Sequence, residues 1–186
     1  MLLVVGLGNP GARYESTRHN IGFKIVEALA GSAAWTERFK GNFCLINDAH
    51  KLGVLKPSTF MNLSGQSVRA ASDFYKIAPA DVLVVHDELD VPWRQLRLKL
   101  GGGEAGHNGL RSVTEHLGTR DYYRLRVGIG RPPPEFQGSG ADFVLQAFAP
   151  VQKAELPDFI AEGVAAIRLF IERGASQAMN EVNRKR

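Results

Sequence analysis

A chain of 186 residues is long enough for one well-buried core and short for two, and its 44% apolar and 23% charged residues are ordinary for a globular domain. The formal net charge of +4 and the pI of about 9.4 permit an anionic partner without demanding one. A single cysteine, Cys44, excludes an intrachain disulfide and a Cys-rich zinc site.

The run Met1-Leu-Leu-Val-Val is followed at once by Gly6 and Gly8. It lacks the basic start and long apolar stretch of a signal peptide, and no other stretch reaches the roughly 18 apolar residues of a membrane span. The expected compartment is cytoplasmic. Leu2 to Val5 reads as a strand buried on both faces. The glycine-rich residues 6 to 11 break it, and a helix is expected from Thr17 or Arg18 to about Ala30, with Ile21, Ile25, Val26 and Leu29 on one stripe. Residues 42–47 and 51–56 read as paired strands, and Asn62 to Tyr75 as a helix through Val68, Ala71 and Phe74. Val82 to His86 is a second strongly apolar strand, and Gln95 to Leu100 alternates like a third. A glycine-rich stretch, 101–109, leads into a helix from about His107 to Leu117. Arg124 to Ile129 reads as a strand stopped by Pro132, Pro133 and Pro134, with 131–141 as a loop. Pro150 to Glu172 reads as a long amphipathic helix with Leu156, Ile160, Val164, Ile167 and Ile171 inward. The basic tail 183–186 is expected to lack fixed structure. Alternating strands and helices without a linker predict a single α/β domain, residues 1–186.

Gly6-Leu-Gly-Asn-Pro-Gly11 fits a dinucleotide fingerprint in spacing, but that use needs a helix to start inside it. Here the helix comes several residues later, and Glu27, at the offset of a ribose-binding acid, falls within it. The phosphate loop G-x-x-x-x-G-K-S/T is absent, so the glycines at 101–109 are not a triphosphate cradle.

Polar residues with catalytic potential gather where elements end: Asn9, His19 with Asn20, Asn62, Asp87, and His107 with Asn108. Sites in open α/β sheets collect beyond strand ends, so the grouping makes geometric sense. Taken singly, Asn9 and Asn62 also fit turn or cap residues, and Asp87 a cap or a solvated turn. His86 precedes Asp87 on an alternating strand, so the two are expected on opposite faces and not in one site. His50 and His116 read as surface residues, Cys44 as a small core residue, and Trp35 and Trp93 as packing. His19, expected in the first turn of a helix, would feel the positive helix end, which favours the neutral imidazole a general base needs. An Asp on its other ring nitrogen would fix the tautomer, and Asp87 is the candidate. G-x-S-x-G and H-E-x-x-H are both absent, which leaves water as the expected nucleophile and gives little support for a metal.

At these residues the chain resembles the bacterial peptidyl-tRNA hydrolase family from end to end. The blocks are Gly6-Leu-Gly-Asn-Pro-Gly11, Thr17-Arg-His-Asn-Ile-Gly22, Lys56-Pro-Ser-Thr-Phe-Met-Asn-Leu-Ser-Gly65, His86-Asp-Glu-Leu-Asp90, Gly101-Gly-Gly-Glu-Ala-Gly-His-Asn-Gly109 and Arg124-Leu-Arg-Val-Gly-Ile-Gly130. The resemblance implies a twisted mixed β-sheet flanked by helices, and hydrolysis, without cofactor or metal, of the ester joining a peptide to tRNA. It implies that His19 activates water and that Asp87 orients His19. Asn9, Asn62 and Asn108 would grip the peptide backbone or polarise the carbonyl, and His107 would position. An amide donor aimed at the oxyanion is worth roughly 3 kcal/mol. Tyr14, Phe60 and Met61 would wall the scissile bond and the terminal adenosine. Lys99 and Arg126, helped by Arg97, would contact tRNA phosphates. The glycine-rich loop would gate the cleft, and Ala105 removes one of its hinge glycines. The resemblance also implies a monomer and no membrane.

Three rivals remain open in the sequence: a non-catalytic RNA-binding relative of the same fold, a nucleotide-dependent oxidoreductase and a small-molecule esterase. The retained polar set, the late helix and the missing nucleophile elbow count against them in turn.

Overall fold

The computed structural model describes residues 1–184. In chain order the strands are Leu2–Gly6 (β1), Thr36–Arg38 (β2), Gly41–Asn47 (β3), Lys51–Pro57 (β4), Val82–Glu88 (β5), Leu96–Leu100 (β6) and Tyr123–Gly128 (β7). The helices are Ile21–Ala30 (α1), Ser64–Tyr75 (α2), Asn108–Leu117 (α3), Gly140–Val144 (α4), Pro150–Arg173 (α5) and Ala175–Arg184 (α6). The strands form one seven-stranded mixed sheet in the order β2-β3-β4-β1-β5-β7-β6. The two most apolar segments, β1 and β5, lie side by side and parallel near its middle, where both faces are covered. β4 and β7 continue the parallel set, while β2, β3 and β6 pair antiparallel at the margins.

Each face of the sheet has its own core. Ile21, Ile25, Phe159, Ile167, Phe170 and Val182 from α1, α5 and α6 pack on Val4, Val85 and Leu125. Val68, Ala71, Leu110 and Val113 from α2 and α3 pack on Leu3, Val5 and Val84. The alternation of β1 and β5 therefore divides their side chains between two hydrophobic layers.

The amino-terminal glycines serve packing. A Cβ on Gly6 would lie 2.4 Å from the Gly22 carbonyl oxygen, and one on Gly22 would lie 2.4 Å from that of Val85. Helix α1 thus rests directly on the backbone of the central strands. Gly11 takes φ 101°, a turn conformation, and the α-helix starts ten residues later at Ile21.

Several expectations shift. Arg18–Asn20 is a 3-10 turn ahead of α1, so His19 precedes the α-helix and is not in its first turn. The buried stripe of α5 is Phe159, Gly163, Ala166, Ile167 and Phe170, while Leu156, Ile160, Val164 and Ile171 flank it half-buried. Ile167 of the expected stripe is buried and the other four pack against the edge of the core, while Phe159 and Phe170 join Ile167 at its centre. Helix α4 occupies the end of the expected 131–141 loop, held by Ser139 and Asp142 in a reciprocal cap. Of the tail expected to be unstructured, Asn183 and Arg184 are helical, because α6 buries Ala178 and Val182 and Asn183 bonds the backbone of β6; residues 185–186 lie outside the described residues.

Candidate active site

The parallel strands β1, β4 and β5 all end at one edge of the sheet, and beyond it opens a cleft of about 510 Å3. Asp87, near the end of β5, lies on its floor with a side chain only 2% exposed. Both carboxylate oxygens are engaged. His19 Nδ1 lies 2.8 Å from Oδ2, and His107 Nε2 lies 2.8 Å from Oδ1. His107 caps α3: its Nδ1 accepts from the backbone N–H of Gly109 and of Leu110, at 3.1 and 3.3 Å. A nitrogen that accepts these bonds carries no proton, so the His107 proton sits on Nε2 and is donated to Asp87. The carboxylate in turn receives the Nδ1 proton of His19 and leaves its Nε2 with a free lone pair. Asp87 is therefore neither a cap nor a solvated turn residue.

Burial opposes the charge of Asp87, but the fields of His19 and His107 and their hydrogen bonds outweigh it and hold the carboxyl well below the ordinary range. For His19, burial lowers the pKa, and the charge and hydrogen bond of Asp87 more than compensate, so it stands above the usual histidine value. The helix end foreseen from the sequence is thus overruled by the carboxylate. His19, Asp87 and His107 offer three atoms within 4.8 Å of one another, the one such cluster among the described residues. Both nitrogens that face Asp87 carry protons, and His107 could ligate through Nε2 only by losing the proton its capping role fixes there. The donor set suits proton handling rather than metal ligation.

Asn9 is held by Asn20. The Asn20 side chain accepts from the Asn9 N–H and donates to the Asn9 carbonyl, both at 2.9 Å. Asn9 Oδ1 accepts from the Met61 N–H at 2.7 Å, so its amide N–H2 is the group left for the cleft. The sequence places Asn20 beside His19, yet its clamp on Asn9 is a function that chain order does not reveal. Asn62, in a 3-10 turn (Met61–Leu63) ahead of α2 rather than in the helix expected from it, and Asn108, the first residue of α3, are exposed and line the cleft, with Phe60 and Met61 alongside. Tyr14 is not part of the cleft wall; it sits in the 3-10 turn Ala12–Tyr14, with the guanidinium of Arg13 over its ring. Leu89, Ala141, Val144 and Leu145 also line the cleft and carry no polar signal by which to find them, and the charged Glu88, Asp90 and Arg131 line it as well.

His86 points to the opposite face from Asp87, but the two are coupled through the backbone. His86 Nδ1 donates to the Asp87 carbonyl at 2.8 Å, and its ring packs edge-on against His107 with centroids 5.2 Å apart. Burial, with the nearby His107, pushes its pKa down to about 3, so it is neutral at working pH. It borders a second cavity of about 330 Å3, next to the cleft, that is also lined by Lys99, Arg124 and Arg126. Arg126 pairs with Glu88 at 3.0 Å, and Arg97, its register neighbour on β6, bonds Leu96 O and Gln95 Oε1. Buried Arg124 holds the glycine-rich loop through the carbonyls of Gly102 and Gly103, at 2.8 and 2.6 Å. Ala105 in that loop takes φ 49°, a left-handed conformation that costs a residue with a Cβ about 1 kcal/mol.

The family profile described as "Peptidyl-tRNA hydrolase" matches residues 3–186. A peptidyl-tRNA hydrolase of Sorangium cellulosum is 48% identical over 98% of this chain and 84% of its own, and one of Anaeromyxobacter dehalogenans 45% identical over 100% and 97%. The crystal structure of the peptidyl-tRNA hydrolase from Acinetobacter baumannii superposes with a TM-score of 0.87 at 40% identity, covering 98% of this chain and 94% of that one. The matching order of elements and the match along almost the whole sequence lead to one conclusion: the chain belongs to the peptidyl-tRNA hydrolase family.

Proposed function

We propose that this chain hydrolyses the ester between a peptide, or an N-blocked aminoacyl group, and tRNA, with His19 as general base. The observation that carries the reading is the directed chain His107–Asp87–His19, which ends in a free imidazole lone pair at the cleft. A water held against His19 Nε2 attacks the ester carbonyl and gives its proton to the imidazole. Asp87 stabilises the resulting imidazolium and is not itself protonated. General-base assistance of this kind contributes about a hundredfold to ten-thousandfold. The tetrahedral intermediate collapses, the ester C–O bond breaks, and the ribose oxygen leaves with the proton returned by His19.

In this reading the free N–H2 of Asn9 polarises the carbonyl, while Asn62 and Asn108 hold the peptide backbone. Phe60 and Met61 wall the reacting ester. Lys99 and Arg126, with Arg97, bind tRNA phosphates beside the cleft, which makes binding salt-sensitive with little base readout. The family resemblance supports a cytoplasmic monomer; among the described residues no helix is long and apolar enough to cross a membrane.

Amide groups poised for a peptide bond would be left unpaired opposite a free ammonium, so aminoacyl-tRNA should be spared. Comparing N-acetyl-aminoacyl-tRNA with the free aminoacyl-tRNA tests this. Release from the blocked form should be at least about a hundredfold faster; equal rates contradict this selectivity.

A further inference from the structure

Strand β6 is the last strand of the sheet, so one side of its backbone has no neighbouring strand. In an antiparallel pair, alternate residues turn both backbone groups outward. At Leu98 those two groups are not left to water. Asn183 Oδ1 accepts from the Leu98 N–H at 2.7 Å, and Asn183 Nδ2 donates to the Leu98 carbonyl at 2.9 Å. One side-chain amide thus replaces the rung a further strand would supply. It is the same two-bond grip that Asn20 places on Asn9.

The contact is built into the fold. The Leu98 side chain is buried in the same core layer as Ala178 and Val182 of α6. On either side of Leu98 stand Arg97 and Lys99, directed to the opposite face, where Lys99 borders the cavity shared with Arg126. Lys99 also runs close against the glycine-rich loop, since a Cβ on Gly102 would lie 2.7 Å from its Nζ. A shift of β6 by a fraction of an ångström would therefore move Lys99 relative to both Arg126 and the loop.

We infer that Asn183 is a positioning residue for tRNA: by pinning Leu98 it fixes the register and height of the edge strand that presents Arg97 and Lys99 beside the catalytic cleft. The inference rests on the reading of β6 and β7 as the tRNA-contact strands. It gives the carboxyl-terminal helix a part in substrate binding although none of its residues lines the cleft.

The test uses Asn183→Leu, similar in size and without either bond, and Lys99→Ala. Each is assayed on N-acetyl-aminoacyl-tRNA and on the same N-acetyl-aminoacyl ester of a CCA trinucleotide, with folding checked by circular dichroism. For Asn183→Leu, KM for the tRNA substrate should rise about fivefold, the order of one lost hydrogen bond. Its kcat and its rate on the trinucleotide ester should not change. Lys99→Ala should raise the same KM and lower the salt slope by about one. An unchanged KM in Asn183→Leu, with Lys99→Ala impaired, overturns the inference and leaves the tRNA surface standing. An unimpaired Lys99→Ala overturns the tRNA reading of the strand and the inference with it. Equal losses on both substrates in Asn183→Leu also overturn it, since they mark a general defect of the fold.

Discussion

His107 donates from Nε2 to Asp87 Oδ1 over 2.8 Å, and the direction of that bond is set from behind by the two backbone amides on its Nδ1. Asp87 therefore meets His19 with one oxygen already satisfied and cannot rotate away without losing its hydrogen bond to the residue that caps α3. The consequence is that the imidazole proposed as general base is oriented by a carboxylate that is itself held by the capping residue of a helix.

The acid limb of kcat/KM should reflect this. A base must be neutral, and Asp87 holds the His19 pKa above the ordinary histidine value, so activity is lost as pH falls through that raised value. In Asp87→Asn burial persists and the charge is gone. The limb should then move to lower pH, and kcat should drop at least about a hundredfold. A pH–rate profile with its limb unmoved contradicts the coupling. By linkage, the raised His19 pKa stabilises the fold below the unfolded pKa and that contribution fades as pH rises through the folded value. The depressed Asp87 carboxyl acts above its unfolded pKa, and its contribution is lost as pH falls through the folded value.

His86 predicts an acid sensitivity of the fold. Its folded pKa of about 3 lies below the unfolded value, so between the two the unfolded chain binds the extra proton and stability rises with pH. The slope from this one group is about 1.4 kcal/mol per pH unit. Urea unfolding of wild type and His86→Gln at pH 6.5 and 4.5 should show the wild type losing more stability over that interval. Parallel losses would remove His86 from the account.

Asn20→Ala should impair catalysis through Asn9. It frees the N–H and carbonyl of Asn9, both buried, at a cost of about 1–3 kcal/mol in stability. With the Asn9 amide no longer fixed, kcat should fall about tenfold or more in protein that is still folded at the assay temperature. Reduced stability with full kcat would make Asn20 a strut only.

The central strands, the helix stripe of α1 and the polar set at the strand ends were legible because burial on both faces, helical periodicity and punctuation by glycine all leave marks in the sequence. Strand β2 left none: Thr36, Glu37 and Arg38 are all exposed, and its turn uses Phe39 and Lys40 at φ 57° and 53° with no glycine or asparagine. Helix α6 has a polar composition and owes its place to Ala178, Val182 and the Asn183 contact with β6. The Asn20 clamp and the coupling of His86 to Asp87 depend on which side-chain atoms meet, which spacing alone does not specify.

Gly6 shows how a sequence pattern can be right and its meaning different. Gly6 lets α1 cross the strand end at backbone distance, and Gly11 makes a turn at φ 101°, ten residues before α1 begins. Gly6→Ala should lower stability by about 1–3 kcal/mol or more by forcing α1 off the sheet, read as a reduced Tm. A variant of full stability would contradict that packing.

Release of tRNA from N-acetyl-aminoacyl-tRNA, wild type against His19→Ala in buffer containing EDTA, tests the central claim most directly. The wild type should be active, and a folded His19→Ala should lose at least about a hundredfold. A variant within a few-fold of wild type, or a wild type silenced by EDTA, would contradict water activation by His19.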